Sequence, residues 1–152
     1  MKRYKVNSAI QLFLVKEDEQ QTKLLLQKRT GGWASGMWDS SASGHVDENE
    51  PMTYSLQREA KEEIGVDIAN KDVSFVNMQH SNLEGEIYYN GYFFAKTWKG
   101  EPRVCEKDLC TELQWFDIEE LPENIIPNRL QAISDYKNGV TFTEFGWDKE
   151  KD

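Results

Sequence analysis

The sequence predicts a mixed α/β or α+β domain, and three observations carry that expectation. Apolar-rich, alternating segments lie both before and after one strong helical pattern. The order along the chain is strands, helix, strands, helix. No internal repeat, low-complexity stretch or linker interrupts that order, so one domain of 152 residues is expected, with its core over about residues 8–138.

Residues 8–15 (SAIQLFLV) read as a strand, 16–22 as a polar turn and 23–28 (KLLLQK) as a second strand, which together suggest a hairpin. Three glycines in residues 30–36 mark a loop, and residues 37–46 (MWDSSASGHV) are short-chained and irregular, with a brief strand before Gly44. Residues 51–64 form the best helix: Pro51 suits the first turn and Gly65 the stop. Residues 73–80 and 86–98 alternate as two longer strands around a turn containing Asn82 and Gly85. A strand at 111–117 and a helix at 127–137, ended by Asn138-Gly139, complete the domain. The charged tail from Trp147 to Asp152 reads as frayed.

The net charge of −9 disfavours long-range attraction to nucleic acid or to an anionic membrane. A small phosphate compound would still bind if metal ions or a local arginine and lysine cluster offset that field. Cys105 and Cys110 read as reduced thiols of a cytosolic protein, and His45 and His80 stand too far away in sequence to make a good zinc site with them. The basic start at residues 1–5 is followed by no long apolar run, so neither a signal peptide nor a membrane span is expected, and the expected location is cytoplasmic.

The helix has a pattern that is wrong for an ordinary core element. Met52, Leu56, Ala60 and Ile64 recur every four residues and form one apolar stripe. With Leu56 at zero and about 100° per residue, the stripe runs from about −40° to about +80°. Glu63 falls at about −20°, inside it; Glu59 at about −60° and Glu62 at about −120° crowd its margin. An unpaired buried carboxylate costs several kcal/mol or becomes neutral, and three close ones repel. Arg58 alone does not balance them. Hard divalent cations such as Mg²⁺ or Mn²⁺ would, although a partly exposed acidic edge is the other reading of the same geometry.

From Gly44 the chain reads GHVDENEPMTYSLQREAKEEIGV. This resembles the Nudix box, G-x5-E-x7-R-E-U-x-E-E-x-G-U, at Gly44, Glu50, Arg58, Glu59, Glu62, Glu63 and Gly65, with Val66 apolar and Ala60 a small substitute at the first apolar position. Residues 98–102 (WKGEP), and the run Trp115-Phe116 followed by Glu120-Leu121-Pro122, resemble later segments of MutT-type members, so the likeness spans about residues 8–137. The resemblance implies the Nudix fold, a mixed sheet sandwiched between helices (α/β/α). It implies a catalytic group of Glu59, Arg58, Glu62, Glu63 and Glu50, with Mg²⁺ or Mn²⁺ held by Glu59, Glu62, Glu63, the Ser43 carbonyl and a loop glutamate, Glu101, for which Glu106 is a rival. In that scheme Glu59 ligates metal or deprotonates the attacking water, Arg58 and Glu50 fix it by ion pairing, and Gly44 and Gly65 shape the turns into and out of the helix.

The resemblance further implies hydrolysis of a phosphoanhydride bond in a nucleoside diphosphate linked to another group. A nucleoside triphosphate, giving the monophosphate and pyrophosphate, suits a short chain best. Nucleotide sugars, dinucleoside polyphosphates and ADP-ribose stay open. Substrate contacts are expected from Arg29, Trp33, Trp38 and His80, with Lys28, Tyr88, Asn128 and Arg129 as further candidates; Phe75 and Phe93 read as core. The expected partner is a small nucleotide, with no nucleic acid and no membrane; a homodimer stays open. Two other readings share the fold. Isopentenyl diphosphate isomerases have a similar approach through Trp33, Trp38, Ser41, Gly44 and His45, but carry a catalytic cysteine where this chain has Ser43. Non-catalytic nucleotide sensors generally have broken boxes, whereas this one is intact.

Overall fold

The computed structural model describes residues 1–147. Along it run β1 (Asn7–Glu17), β2 (Thr22–Arg29), β3 (Trp38–Asp39), β4 (Ala42–His45), α1 (Met52–Ile64), a 3-10 turn (Asn70–Asp72), β5 (Val73–Leu83), β6 (Glu86–Ala95), β7 (Cys110–Asp117), α2 (Pro127–Lys137) and β8 (Phe142–Phe145). The strands form one mixed sheet in the order β3-β2-β1-β6-β5-β8, with β4 joined to β1 and β7 to β2.

The two-residue period of the strands produces two cores. On β1, Ile10, Leu12 and Leu14 point to the α1 side while Phe13 and Val15 point to the α2 side. On β6, Phe93 and Ala95 join the first set, and Tyr92 and Phe94 the second. Leu56, Ala60 and Ile64 of α1 cover one face of the sheet; Ala132 and Ile133 of α2 cover the other. Each fully buried Leu or Ile contributes about 1.5–3 kcal/mol. The expected α/β/α layering is therefore met, with α1 ended by Gly65 in the left-handed conformation (φ 71°).

β1 pairs with β6 in parallel along one edge, from Asn7 to Leu14. Its other edge is shared. Ala9 to Leu12 pair with β4, whereas Val15 to Glu17 pair with β2. The sheet forks between these two stretches, and Ser41 bridges the fork: its Oγ accepts the Leu14 N–H at 2.9 Å and donates to the Leu25 carbonyl at 2.6 Å. Asp39, Ser40 and Ser41 are all 0% exposed, so this polar wedge lies inside the domain.

Several sequence expectations change. Residues 37–46 hold two short strands, because β3 pairs with β2 and β4 with β1. β8 was not expected; it is a four-residue edge strand parallel to β5, and its pairing partner lies some sixty residues away in sequence. β5 and β6 meet in a two-residue turn at Glu84 (φ 54°) and Gly85 (φ 88°), the left-handed pair that suits strand twist. Phe75, expected in the core, is 52% exposed beside a bulge in β5, whereas Phe93 is buried as expected. Trp147, expected in a frayed tail, donates its indole N–H to the His80 carbonyl at 2.9 Å; the rest of that tail lies outside the described residues. No helix among the described residues is long and apolar enough to cross a membrane.

Asp39 ties the wedge to α2. Its Oδ1 accepts from Arg129 Nε at 2.8 Å and its Oδ2 from Arg29 Nη1 at 3.2 Å. Burial works to raise this carboxyl's pKa, but the two guanidiniums and the Ser40 N–H hold it below the usual carboxylate range. Its contribution to stability is thus complete above about pH 4 and is lost as the pH falls through the lowered value. Asp39→Asn is expected to lower the unfolding free energy at pH 7 by about 3 kcal/mol, because two enclosed cations lose their counter-charge. Urea unfolding across pH checks this: the gap from the parent chain should close below about pH 4.

Candidate active site

α1 and β4 face each other, and the box residues meet in the space between them. β4 contributes a backbone N–H and a glycine; α1 contributes carboxylates. The Ser43 N–H donates to Glu63 Oε2 at 2.8 Å, and Gln27 Nε2 from β2 reaches Glu63 Oε1 at 3.4 Å. Glu63 therefore sits where the stripe geometry places it, among the strands rather than in solvent. Desolvation and the neighbouring Glu59 push its pKa up to about 9, against the opposing help of the Ser43 N–H. Glu59 lies directly behind Gly44, where an added Cβ would overlap its carboxylate. Desolvation raises its pKa as well, partly offset by Arg58.

Arg58 gathers the acids. It donates to Glu59 Oε1 at 2.7 Å and to Glu50 Oε1 at 2.8 Å, and lies 3.6 Å from Glu62 Oε2 and 3.3 Å from Asp47 Oδ2. Glu50 is itself pinned by the Ser55 hydroxyl and the Asp47 N–H, and these bonds with Arg58 pull its pKa down to about 2. Ser55 is buried on α1 for this reason, a polar residue next to the apolar stripe. Glu62 remains half-exposed.

These groups fit a hard divalent cation in donor type. Two carboxylates, Glu59 and Glu63, are in contact; burial pushes the pKa of each up, and Glu59 pushes that of Glu63 up further, which is an unmet demand for positive charge. Their arrangement is not a finished cage. Among the described residues no three acidic, histidine or cysteine side chains already converge as metal ligands, since Glu59 and Glu62 are turned onto Arg58. Glu101 is exposed and Glu106 partly buried, and neither is bonded to the α1 carboxylates; the main chain nearby does meet α1, through the Cys105 N–H on the Glu63 carbonyl at 3.1 Å.

A cavity of about 590 Å³ opens on the other side of β4, on the α2 face of the sheet. Ser43 and Gly44 line it, so β4 is a thin wall with the α1 acids behind it. Gln11, Ser81 and Asn90 give it a polar floor, Tyr88 and His45 a stacked pair bonded at 2.8 Å, and Arg29, Trp33, Asn128 and Arg129 one wall. The expected substrate residues thus divide. Arg29 and Trp33 line the cavity together, as do Tyr88, Asn128 and Arg129. Trp38 does not: it is 6% exposed and packs edge-on against Phe116 at 4.9 Å, a core role. His80 does not line it either, but stacks on Tyr89 at 4.3 Å on the α1 face of the sheet. Asp39 carries no local mark in the sequence, whereas Gln11 and Asn90 do. The available signal was a polar residue at an inward position of an otherwise apolar strand, as in SAIQLFLV and YYNGYFF.

Comparison with known proteins accords with this geometry. The NUDIX domain model matches residues 7–136. The Nudix hydrolase YfcD of Salmonella typhi is 29% identical over 120 residues, covering 74% of this chain and 61% of its own, so the chain spans about three-fifths of that relative. The MutT NUDIX hydrolase of Burkholderia pseudomallei is 25% identical with a TM-score of 0.75, covering 86% of this chain and 98% of that one. The NUDIX domain of Shewanella oneidensis NrtR, whose structure contains ADP-ribose, has the same fold at 16% identity and a TM-score of 0.69, over 91% of each chain. With its box assembled between β4 and α1 and the family model spanning nearly the whole sheet and both helices, the chain belongs to the NUDIX domain family.

Proposed function

We propose that this chain is a divalent-metal-dependent hydrolase of a phosphoanhydride bond in a nucleoside diphosphate linked to another group. The best-fitting substrate is a nucleoside triphosphate, cut to the monophosphate and pyrophosphate. The supporting observation is the partly buried pair of touching carboxylates, Glu59 and Glu63, both disfavoured as anions by burial and set against a wall whose far side lines a nucleotide-sized cavity.

In this reading Glu59, Glu62, Glu63 and the Ser43 carbonyl would hold Mg²⁺ or Mn²⁺, with Glu101 as a further ligand from the loop. When bound, such ions neutralise phosphate oxygens and lower the pKa of an attacking water. The protein's own part is placement and proton transfer. Glu50, held by Ser55 and Asp47, anchors Arg58; Arg58 in turn aims Glu59. Where Glu59 takes the proton of the attacking water instead of ligating metal, its burial makes it a better proton acceptor than an ordinary carboxylate. Arg29 and Trp33 contact the substrate from the cavity wall. The ADP-ribose seen in the Shewanella relative makes that compound a necessary arm of any substrate panel.

Release of phosphate or pyrophosphate from nucleoside triphosphates, nucleotide sugars, dinucleoside polyphosphates and ADP-ribose, with and without Mg²⁺, tests the reading. Glu62→Gln is expected to lower kcat at least about 100-fold with the fold intact. Equal turnover by this variant, or turnover in EDTA, would overturn the assignment.

Gly44→Ala gives a second check. The substitution forces the Glu59 carboxylate away from β4, while the Gly44 backbone is not in the left-handed region. Activity should fall about 100-fold, as expected for a misplaced catalytic group, with a melting temperature within a few degrees of the parent. A fully active alanine variant would show that Glu59 does not work from its position behind Gly44.

Glu63 supplies a third. Its pKa rises from 4.5 in the unfolded chain to about 9 in the metal-free fold. Protonated Glu63 is tolerated below the lower value, and stability drains away as the pH rises between the two. In EDTA, Glu63→Gln should therefore gain stability over the parent from pH 5 to 9, while losing Mg²⁺-dependent activity. Thermal melts at each pH measure the difference, and a variant that instead lost ground with rising pH would contradict the cause given.

A further inference from the structure

Arg29 ends β2 and Arg129 opens α2, yet both reach the same cavity wall and meet on one carboxylate. Asp39, 0% exposed, accepts from one on each of its oxygens. Both guanidiniums lie against the Trp33 ring, with Cζ atoms 5.2 Å (Arg29) and 5.7 Å (Arg129) from its centroid. Two nitrogens of each are committed within the protein. Arg29 Nε donates to the Trp33 carbonyl at 3.0 Å, and Arg129 Nη1 to Asn128 Oδ1 at 3.1 Å, in addition to their bonds with Asp39. Arg29 Nη2 is not hydrogen-bonded among the described residues, and Arg129 Nη2 makes no close hydrogen bond there, although the Arg129 guanidinium also faces the buried Tyr92 hydroxyl.

Neutralising a buried aspartate takes one arginine. Two leave the trio with a surplus positive charge at a cavity wall, inside a chain whose net charge is −9. Among the described residues these are the only arginines or lysines lining the cavity, and its other formally charged lining residues are Glu84 and Glu86 of the β5–β6 turn. Planar guanidiniums with a free N–H edge match phosphate oxygens in geometry as well as charge. The position also fits. Asp39 stands opposite Gln27 in the β3–β2 register, and the Gln27 amide touches Glu63. The pair of arginines is therefore one strand away from the α1 acids.

We propose that Arg29 and Arg129, aligned by Asp39 beneath Trp33, form a clamp for a phosphate group of the substrate, with Asp39 as the positioning residue. The clamp rests on the hydrolase reading for its biological use, but it works without metal, and that separates the two experimentally.

The probe is inorganic diphosphate, titrated calorimetrically into the full chain in EDTA, where the α1 acids hold no cation. The parent should bind it, and Arg29→Gln and Arg129→Gln should each weaken binding at least tenfold. Glu62→Gln should bind as well as the parent or better. Asp39→Asn gives the sharpest result. It removes a negative charge, so attraction by charge alone would tighten binding, whereas loss of alignment weakens it severalfold. Circular dichroism verifies folding, and Arg29→Gln, at a partly exposed strand end, decides the matter if either buried variant does not fold. Parent-like binding by Arg29→Gln, tighter binding by a folded Asp39→Asn, or no binding by the parent would each overturn the clamp. Failure of Mg²⁺-dependent hydrolysis alongside the expected binding pattern would remove the hydrolase reading and leave the phosphate site standing.

Discussion

The edge of β1 serves two partners, and neither β4 nor β2 can follow it for its full length. Where they part, backbone N–H and C=O groups would be left unpaired inside the protein, at a cost of about 1–3 kcal/mol each. Short hydroxyl side chains solve this locally. Ser41 closes the gap between the backbones of Leu14 and Leu25, while beside it Ser40 donates to the buried Gln11 side chain, at Oε1, at 2.8 Å. Larger apolar residues would fill the space but leave those groups unsatisfied. The polar wedge is thus a demand of the sheet topology. Once it exists, it provides a setting in which Asp39 can hold two arginines, and in which the Ser43 N–H can meet a carboxylate from α1.

Opposite this wedge, the fold places like charges together. Glu59 and Glu63 are both disfavoured as anions in the metal-free protein, and one guanidinium serves four acids. A sequence selected for stability alone would put an apolar residue at Glu63, on the stripe of Leu56, Ala60 and Ile64. Keeping the carboxylate there lowers stability; in the proposed reading it would raise the affinity of the site for cations, a common exchange in catalytic centres. Glu50 differs in kind. Its bonds to Arg58, Ser55 and Asp47 favour the anion, so it acts as a fixed anchor.

How much of this was legible in the sequence depended on range. α1 announced itself through a stripe spaced by four and through acids that broke the stripe, all within one helix, and its box letters carried the family. Pairings between distant segments left fainter marks. Trp38 stood in a stretch that reads as an irregular loop, yet β3 pairs with β2 and bridges to Ile125, which carries the ring into the core. His80 read as a strand end near the site; β5 runs on to Leu83, and its neighbours are Tyr89 and Trp147. β8 is four residues long with a charge in it, too short and too polar for alternation to register. Asp39 looked like a loop acid because both its partners come from elsewhere, ten and ninety residues away.

The two sides of β4 divide the chemistry. On one side lie the α1 acids, short of positive charge; on the other, arginines and amides line a cavity of about 590 Å³. Gly44 belongs to both, since its missing side chain lets the Glu59 carboxylate approach from behind while its backbone borders the cavity in front. A bulkier residue there would thicken the wall and push the two charge systems apart. The opposed fields would matter for the proposed polyanionic substrate in a strongly acidic protein. Carboxylates alone would repel it, and arginines alone would hold it without activating water. In the proposed reading, two charge systems set one strand apart across a glycine would let one phosphate chain satisfy both: oxygens on the cationic wall and, through a bound cation, on the acidic helix.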